Sequence, residues 1–161
     1  MSEKERRQAS DEIFSQLLLL PRFERAATVG LYVSLPDEPR TDDFLDFLSG
    51  RKRVVIPRVE GEEILFCDYR PGSLVRGAFG ILEPAADASR CAVGDIDLLV
   101  VPGTAFTPDG RRMGRGGGFY DRLLARPDFR AFTVGVCFSF RLLDSLPAEP
   151  HDKTVDLVIR N

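Results

Sequence analysis

The stretch Arg111-Arg112-Met113-Gly114-Arg115-Gly116-Gly117-Gly118-Phe119-Tyr120-Asp121-Arg122 follows the apolar run Leu98–Val101 and the segment Pro102-Gly103-Thr104-Ala105-Phe106. Its glycines at 114, 116, 117 and 118 remove side chains where a backbone must come close to something. Arginines on both sides make that partner an anion. Phe119 to Leu124 then supply the first turn and body of a helix. A strand, a glycine loop rich in N–H groups and a helix N-terminus together form a phosphate cradle. The plainer alternative is a glycine-rich turn that reverses the chain after Pro108-Asp109-Gly110. No Gly-Lys-Ser/Thr closes the loop as in a Walker A motif, and the Rossmann spacing fits only loosely. The arginines favour binding. Arg115 does so most, because a charged side chain between glycines points out of the loop.

Working outward, residues 3–20 read as a helix with apolar positions at Ile13, Phe14, Leu17, Leu18 and Leu20, stopped by Pro21. Strands are expected at Thr28–Val33, Arg53–Pro57, Ile64–Tyr69, Leu98–Val101, Phe132–Phe138 and Val155–Ile159. A helix is expected at Thr41–Leu48, capped by Thr41 and ended by Gly50. Another covers Asp121–Leu124, and a short helical turn covers Leu142–Leu146. Alternating strands and helices, with near-continuous apolar strands, indicate one α/β domain over 1–161. The expected architecture is three-layered and Rossmann-like, with a mainly parallel central sheet. In such sheets ligands sit beyond the carboxyl ends of the strands. The glycine loop follows one such end and Leu35–Thr41 follows another, so the two line one crevice.

The chain of 161 residues is 43% hydrophobic and 29% charged, an ordinary globular balance. Its net charge of −3 argues against a nucleic-acid-coating surface. Cys67, Cys91 and Cys137 are odd in number and widely spaced, which suits neither a disulfide framework nor a zinc site. The single His151 argues against a Ser-His-Asp triad or a histidine metal cluster. No stretch reaches the apolar length of a membrane span, and no secretory h-region follows Met1. The expected setting is the cytoplasm, and the expected state a monomer.

The pattern resembles the 5-formyltetrahydrofolate cyclo-ligases (methenyltetrahydrofolate synthetases) from about Ser10 to Val158. The anchors are Tyr32-Val33-Ser34 with Glu38 and Thr41; Val54–Arg58; Gly77–Pro84; Asp97–Phe106; Gly110–Arg122; and Leu146-Pro147 with His151-Asp152 and Val155-Asp156. The resemblance implies an ATP- and Mg²⁺-dependent ring closure of a reduced folate. By that resemblance Arg112, Met113, Gly114, Arg115, Gly116, Gly117, Gly118, Phe119 and Tyr120 wrap the ATP phosphates. Arg115, Tyr120 and Asp121 are the implied catalytic residues, and Asp121 with Asp152 the implied magnesium ligands. Val33, Glu38, Arg115, Gly116, Gly117, Gly118 and Phe119 would hold the folate, Glu38 accepting the paired donors of a pterin edge.

Each has a plainer reading beside it. Asp121 suits the first turn of any helix, Asp152 caps turns as aspartates do, and Glu38 reads as a solvated loop charge. Glu83 and His151 read as loop residues, and Lys4, Arg6 and Arg7 as a charged helix face. Two departures stand out. The family pattern begins with a further N-terminal helix whose lysine and arginine contact ATP, and this sequence starts where that helix ends. Arg141 stands where the family usually has glutamine, which accepts as well as donates. A non-catalytic folate or nucleotide binder is therefore the competing function. A sugar-phosphate isomerase or CoA-transferase-like enzyme rests on fold analogy alone.

Overall fold

The computed structural model describes residues 1–77, 80–147 and 152–161. Ala78, Phe79 and His151, which fall within the anchor segments, lie outside the described residues. Helix α1 (Glu3–Leu18) opens on a capping box in which Ser2 Oγ accepts from the Glu5 N–H and the Glu5 carboxylate accepts from the Ser2 N–H. Pro21 does more than stop it. It starts α2 (Pro21–Arg25), where a missing N–H costs nothing.

Strand β1 (Thr28–Gly30) is shorter than the expected Thr28–Val33, because the chain leaves the ladder after Leu31 donates to Val55 O at 2.9 Å. Helix α3 (Asp42–Ser49) begins after Thr41, yet Thr41 does not cap it. Its hydroxyl accepts from the Ser34 N–H, and the Thr41 N–H donates to Ser34 Oγ, so the pair ties the two ends of the 34–41 loop together. Strand β2 (Arg53–Glu60) runs past Pro57 into a hairpin with β3 (Glu63–Asp68). Then come the small ribbon of β4 (Val75–Arg76) and β5 (Leu82–Glu83), the edge strand β6 (Arg90–Cys91) and the apolar strand β7 (Leu98–Val101). β8 (Ala105–Phe106) and β9 (Arg112–Met113) form a hairpin around Pro108-Asp109-Gly110, followed by α4 (Phe119–Leu124). β10 (Phe132–Cys137) and β11 (Leu157–Arg160) complete the sheet. The helical turn expected at Leu142–Leu146 lies earlier, at Ser139–Arg141, because Leu142 bridges to Phe106 and the Leu143 N–H donates to Phe106 O at 2.8 Å.

The seven-stranded sheet has the order β11-β10-β7-β1-β2-β3-β6. Pairing is parallel from β11 through β2, and only β3 runs against its neighbours. This is the expected mixed α/β fold around a mainly parallel sheet, with an unforeseen antiparallel margin. Side chains alternate between two cores. Leu98, Val100, Val134 and Val136 face α1 and α3, while Leu99, Val101 and Cys137 face Phe106 and α4. Leu98 to Val101 are fully buried, each contributing about 1.5–3 kcal/mol relative to exposure. Two aspartates fix strand register. Asp97 accepts from the N–H groups of Ala27 and Thr28, joining β7 to β1, and Asp156 accepts from the Thr133 N–H, joining β11 to β10. Among the described residues no helix is long and apolar enough to cross a membrane.

Candidate active site

From β1 the chain passes through α3 to β2 on one side, while β7 lies on the other side of β1. The connections leaving the carboxyl ends of β1 and β7 therefore diverge, which opens a crevice between them. The 34–41 loop forms one wall and the glycine loop the other.

The first wall is held from α1. Arg6 Nε donates to the Glu38 carbonyl at 3.0 Å and its Nη2 to the Leu35 carbonyl at 2.9 Å. Tyr32, buried beneath, donates its hydroxyl proton to Pro39 O at 2.8 Å, and burial keeps its phenol pKa well above the ordinary value. These contacts turn the Glu38 side chain inward, where it is only 6% exposed and accepts from the Leu35 N–H at 2.8 Å. Burial raises its pKa, outweighing the Leu35 N–H and the charge of Arg115. Glu38 is thus no solvated loop charge.

In the second wall the backbone is left-handed at Gly116 (φ 95°) and Gly118 (φ 71°), conformations that other residues adopt only under strain. Gly118 occupies the N-cap of α4 and its carbonyl accepts from the Arg122 N–H. Arg115 does leave the loop, as its flanking glycines require, and it crosses the crevice. Its Nη2 lies 2.7 Å from Asp37 Oδ1 and 3.6 Å from Glu38 Oε2. The two loops expected to share a crevice are joined by this one side chain.

Arg112 takes the opposite course. Its side chain is 6% exposed; Nε donates to Pro102 O at 2.7 Å, and the guanidinium lies over the Tyr120 ring and 3.8 Å from Asp121. The guanidinium of this residue, expected on the phosphates, lies against Tyr120 and Asp121 at the foot of the glycine loop. Burial raises the Tyr120 pKa, against the pull of Arg112, so the phenol stays protonated at neutral pH. Met113 is exposed on β9 and its carbonyl accepts from the Thr104 N–H. Gly114 packs over the Arg112 guanidinium and Gly117 over the Phe119 ring.

Asp121 is half-buried in the first turn of α4, and Asp152 is exposed. Three residues after Asp152, the Val155 N–H donates to Gly110 O, tying this segment to the β8–β9 hairpin. A Cβ at Gly110 would lie 2.3 Å from Val155 O, so the tie needs glycine there. Among the described residues no group of three or more histidine, cysteine or acidic side chains is poised for a metal ion. Two carboxylates with substrate phosphates and water nevertheless suit a hard cation that retains several waters. The cysteines offer no competing thiolate, because burial raises all three and lifts Cys137 to about 11.

The 5-formyltetrahydrofolate cyclo-ligase family model matches residues 1–161, the whole chain. The chain belongs to that family. The 5-formyltetrahydrofolate cyclo-ligase of Mycolicibacterium smegmatis is 36% identical over 140 residues, spanning 82% of this chain and 72% of the relative. The solution structure of the 5,10-methenyltetrahydrofolate synthetase of Aquifex aeolicus superimposes with a TM-score of 0.88 at 38% identity, covering 99% of this chain and 81% of that one. The 5,10-methenyltetrahydrofolate synthetase of Mycoplasma pneumoniae gives 0.78 at 27% identity, covering 99% and 89%.

For a cyclo-ligase family member, the remaining site positions are informative. Half-exposed Val33 packs on the core beneath α1 and α3, whereas Phe119 packs on the opposite core with the Arg122 guanidinium over its ring. Arg141 ends the Ser139–Arg141 turn, over the ring of exposed Phe140. Arg6, read from the sequence as part of a charged helix face, holds the 34–41 loop, and Asp37 drew no reading of its own. Arg6 had a readable signal, since it shares a helical stripe with buried Ser10, Ile13 and Leu17.

Proposed function

We propose that this chain closes 5-formyltetrahydrofolate to 5,10-methenyltetrahydrofolate with ATP, releasing ADP and phosphate. The formyl oxygen attacks the γ-phosphorus, forming the O–P bond as the bond to ADP breaks. N10 then bonds to the activated formyl carbon, loses its proton, and expels phosphate. Such a transfer asks for positioning and charge neutralisation more than for a histidine base.

One observation carries the reading: Arg115 lies between the glycine loop and buried Glu38. Glu38 takes the donors of a pterin edge, and the N–H groups of Gly116, Gly117 and Gly118 surround the phosphates. Arg115 then sits where the formyl oxygen meets the γ-phosphate, supplying positive charge as negative charge develops. Arg112 holds Tyr120 and Asp121 in place. Asp121 and Asp152 would hold a magnesium ion, which when bound offsets the charge of the phosphates. The test mixes the purified chain with 5-formyltetrahydrofolate, ATP and Mg²⁺ and follows methenyltetrahydrofolate absorbance in the near-ultraviolet. ATP-dependent growth is expected. Folate binding without ADP release would instead establish a binder.

A further inference from the structure

We infer that Asp37 is the internal counter-ion of Arg115, holding its guanidinium across the crevice until an incoming phosphate displaces it. The inference rests on the nucleotide reading of the glycine loop. Arg115 Nη2 donates to Asp37 Oδ1 at 2.7 Å, the shorter of its two carboxylate contacts. Glycines flank Arg115, so its own loop supplies no neighbouring side chain to fix it. Asp37 is fixed from the other side, because Arg6 holds the carbonyls immediately after and two residues before it. The carboxylate is therefore the stationary partner and Arg115 the movable one. Burial alone would raise the Asp37 pKa, but the hydrogen bond and charge of Arg115 overcome it and hold it below the ordinary carboxylate value. Two surface grooves, of about 250 and 290 Å³, lie elsewhere and neither is lined by the glycine loop or Glu38. The crevice is bridged by this ion pair.

Two consequences follow from charge and position. A triphosphate entering the glycine loop must take Arg115 from Asp37 and then rest near an unpaired carboxylate, so Asp37 works against nucleotide binding. While the pair persists, Arg115 also covers Glu38, the group that would read the pterin. Phosphate binding withdraws that cover, which favours nucleotide before folate.

The experiment compares wild type, Asp37→Asn and Asp37→Glu by nucleotide affinity, using a non-hydrolysable ATP analogue with Mg²⁺, and by steady-state cyclisation. Asp37→Asn should tighten analogue binding and lower the KM for ATP about three- to tenfold, the scale of a partly exposed ion pair and its repulsion of the phosphates. Its kcat should stay within about twofold, and Asp37→Glu should restore the wild-type KM. A merely structural aspartate would give the opposite sign, since disordering the crevice weakens binding. Unchanged or weaker affinity in Asp37→Asn, with wild type active, overturns the inference. An inactive wild type that binds no nucleotide overturns the functional reading on which it rests.

Discussion

Arg6 Nε and the carbonyl oxygen of Glu38 are 3.0 Å apart, so the first helix of the chain grips the loop that presents the buried carboxylate of the crevice. The Arg6 side chain is 13% exposed and also spans to Leu35 O, which makes it a strut between α1 and the loop. Arg6→Ala leaves the part-buried Glu38 carbonyl without its donor, while Leu35 O keeps only the Glu38 N–H. It should lower stability by about 1–3 kcal/mol and raise the KM for folate more than that for ATP. Thermal denaturation and two-substrate kinetics measure both. An equal rise in the two KM values would show that the strut serves the whole crevice.

Glu38 and Asp97 predict opposite pH dependences. Burial raises Glu38 above its ordinary 4.5, so its contribution to stability is fully present below that value and is lost as pH rises through the raised one. Glu38→Gln keeps an acceptor for the Leu35 N–H but carries no charge. It should melt above wild type at pH 7, with the gap closing as pH falls toward 4.5, and it should lose cyclisation. An unchanged gap across that range would refute a buried, ionised Glu38.

Asp97 is held below its ordinary 3.8 by the Thr28 N–H first, and by the Ala27 N–H and Arg130 as well. Its contribution is present above 3.8 and is lost as pH falls through the lowered value. Asp97→Ala should cost about 1–3 kcal/mol at neutral pH by leaving the Ala27 and Thr28 amides without an acceptor, and much less in acid. Denaturant titrations at pH 7 and below 3 would separate the two.

Much of this was legible in the chain. Val-, Ile- and Leu-rich runs located every parallel strand, because a strand buried on both faces must be apolar throughout. Glycines between arginines located the loop. The margins were less legible. Pro57 argued for ending β2, but an edge-directed hairpin accommodates it, and two-residue ribbons such as β8–β9 carry too few side chains for a period to show. Glu38 read as solvent-exposed because nothing near it in sequence announces Arg6 or Arg115, which reach it from 32 and 77 positions away. Arg112 and Arg115 look alike in sequence. Only packing sends one inward to Pro102 O and the other across to Asp37.

Gly110 tests the link between the two distant acidic residues. Its φ of 92° and a Cβ position 2.3 Å from Val155 O leave no room for a side chain. Gly110→Ala should cost roughly 2–4 kcal/mol and free the segment that carries Asp152. The expected kinetic signature is a raised Mg²⁺ requirement with little change in folate KM. A variant with normal Mg²⁺ dependence would detach Asp152 from the site.

Asp121 is the sharpest single test of the proposed chemistry. It lies in the first turn of α4, 3.8 Å from the buried Arg112 guanidinium, and its side chain is 32% exposed. Asp121→Asn preserves shape and removes charge, while Pro102 O still accepts from Arg112 Nε, so the fold should hold. If Asp121 is a metal ligand, kcat should fall at least about 100-fold and saturation should need more Mg²⁺, with folate affinity close to wild type. If it only complements the helix dipole, the loss is about 0.3–1 kcal/mol of stability and kcat barely moves. Rates across a Mg²⁺ series, beside a melting curve, decide between them.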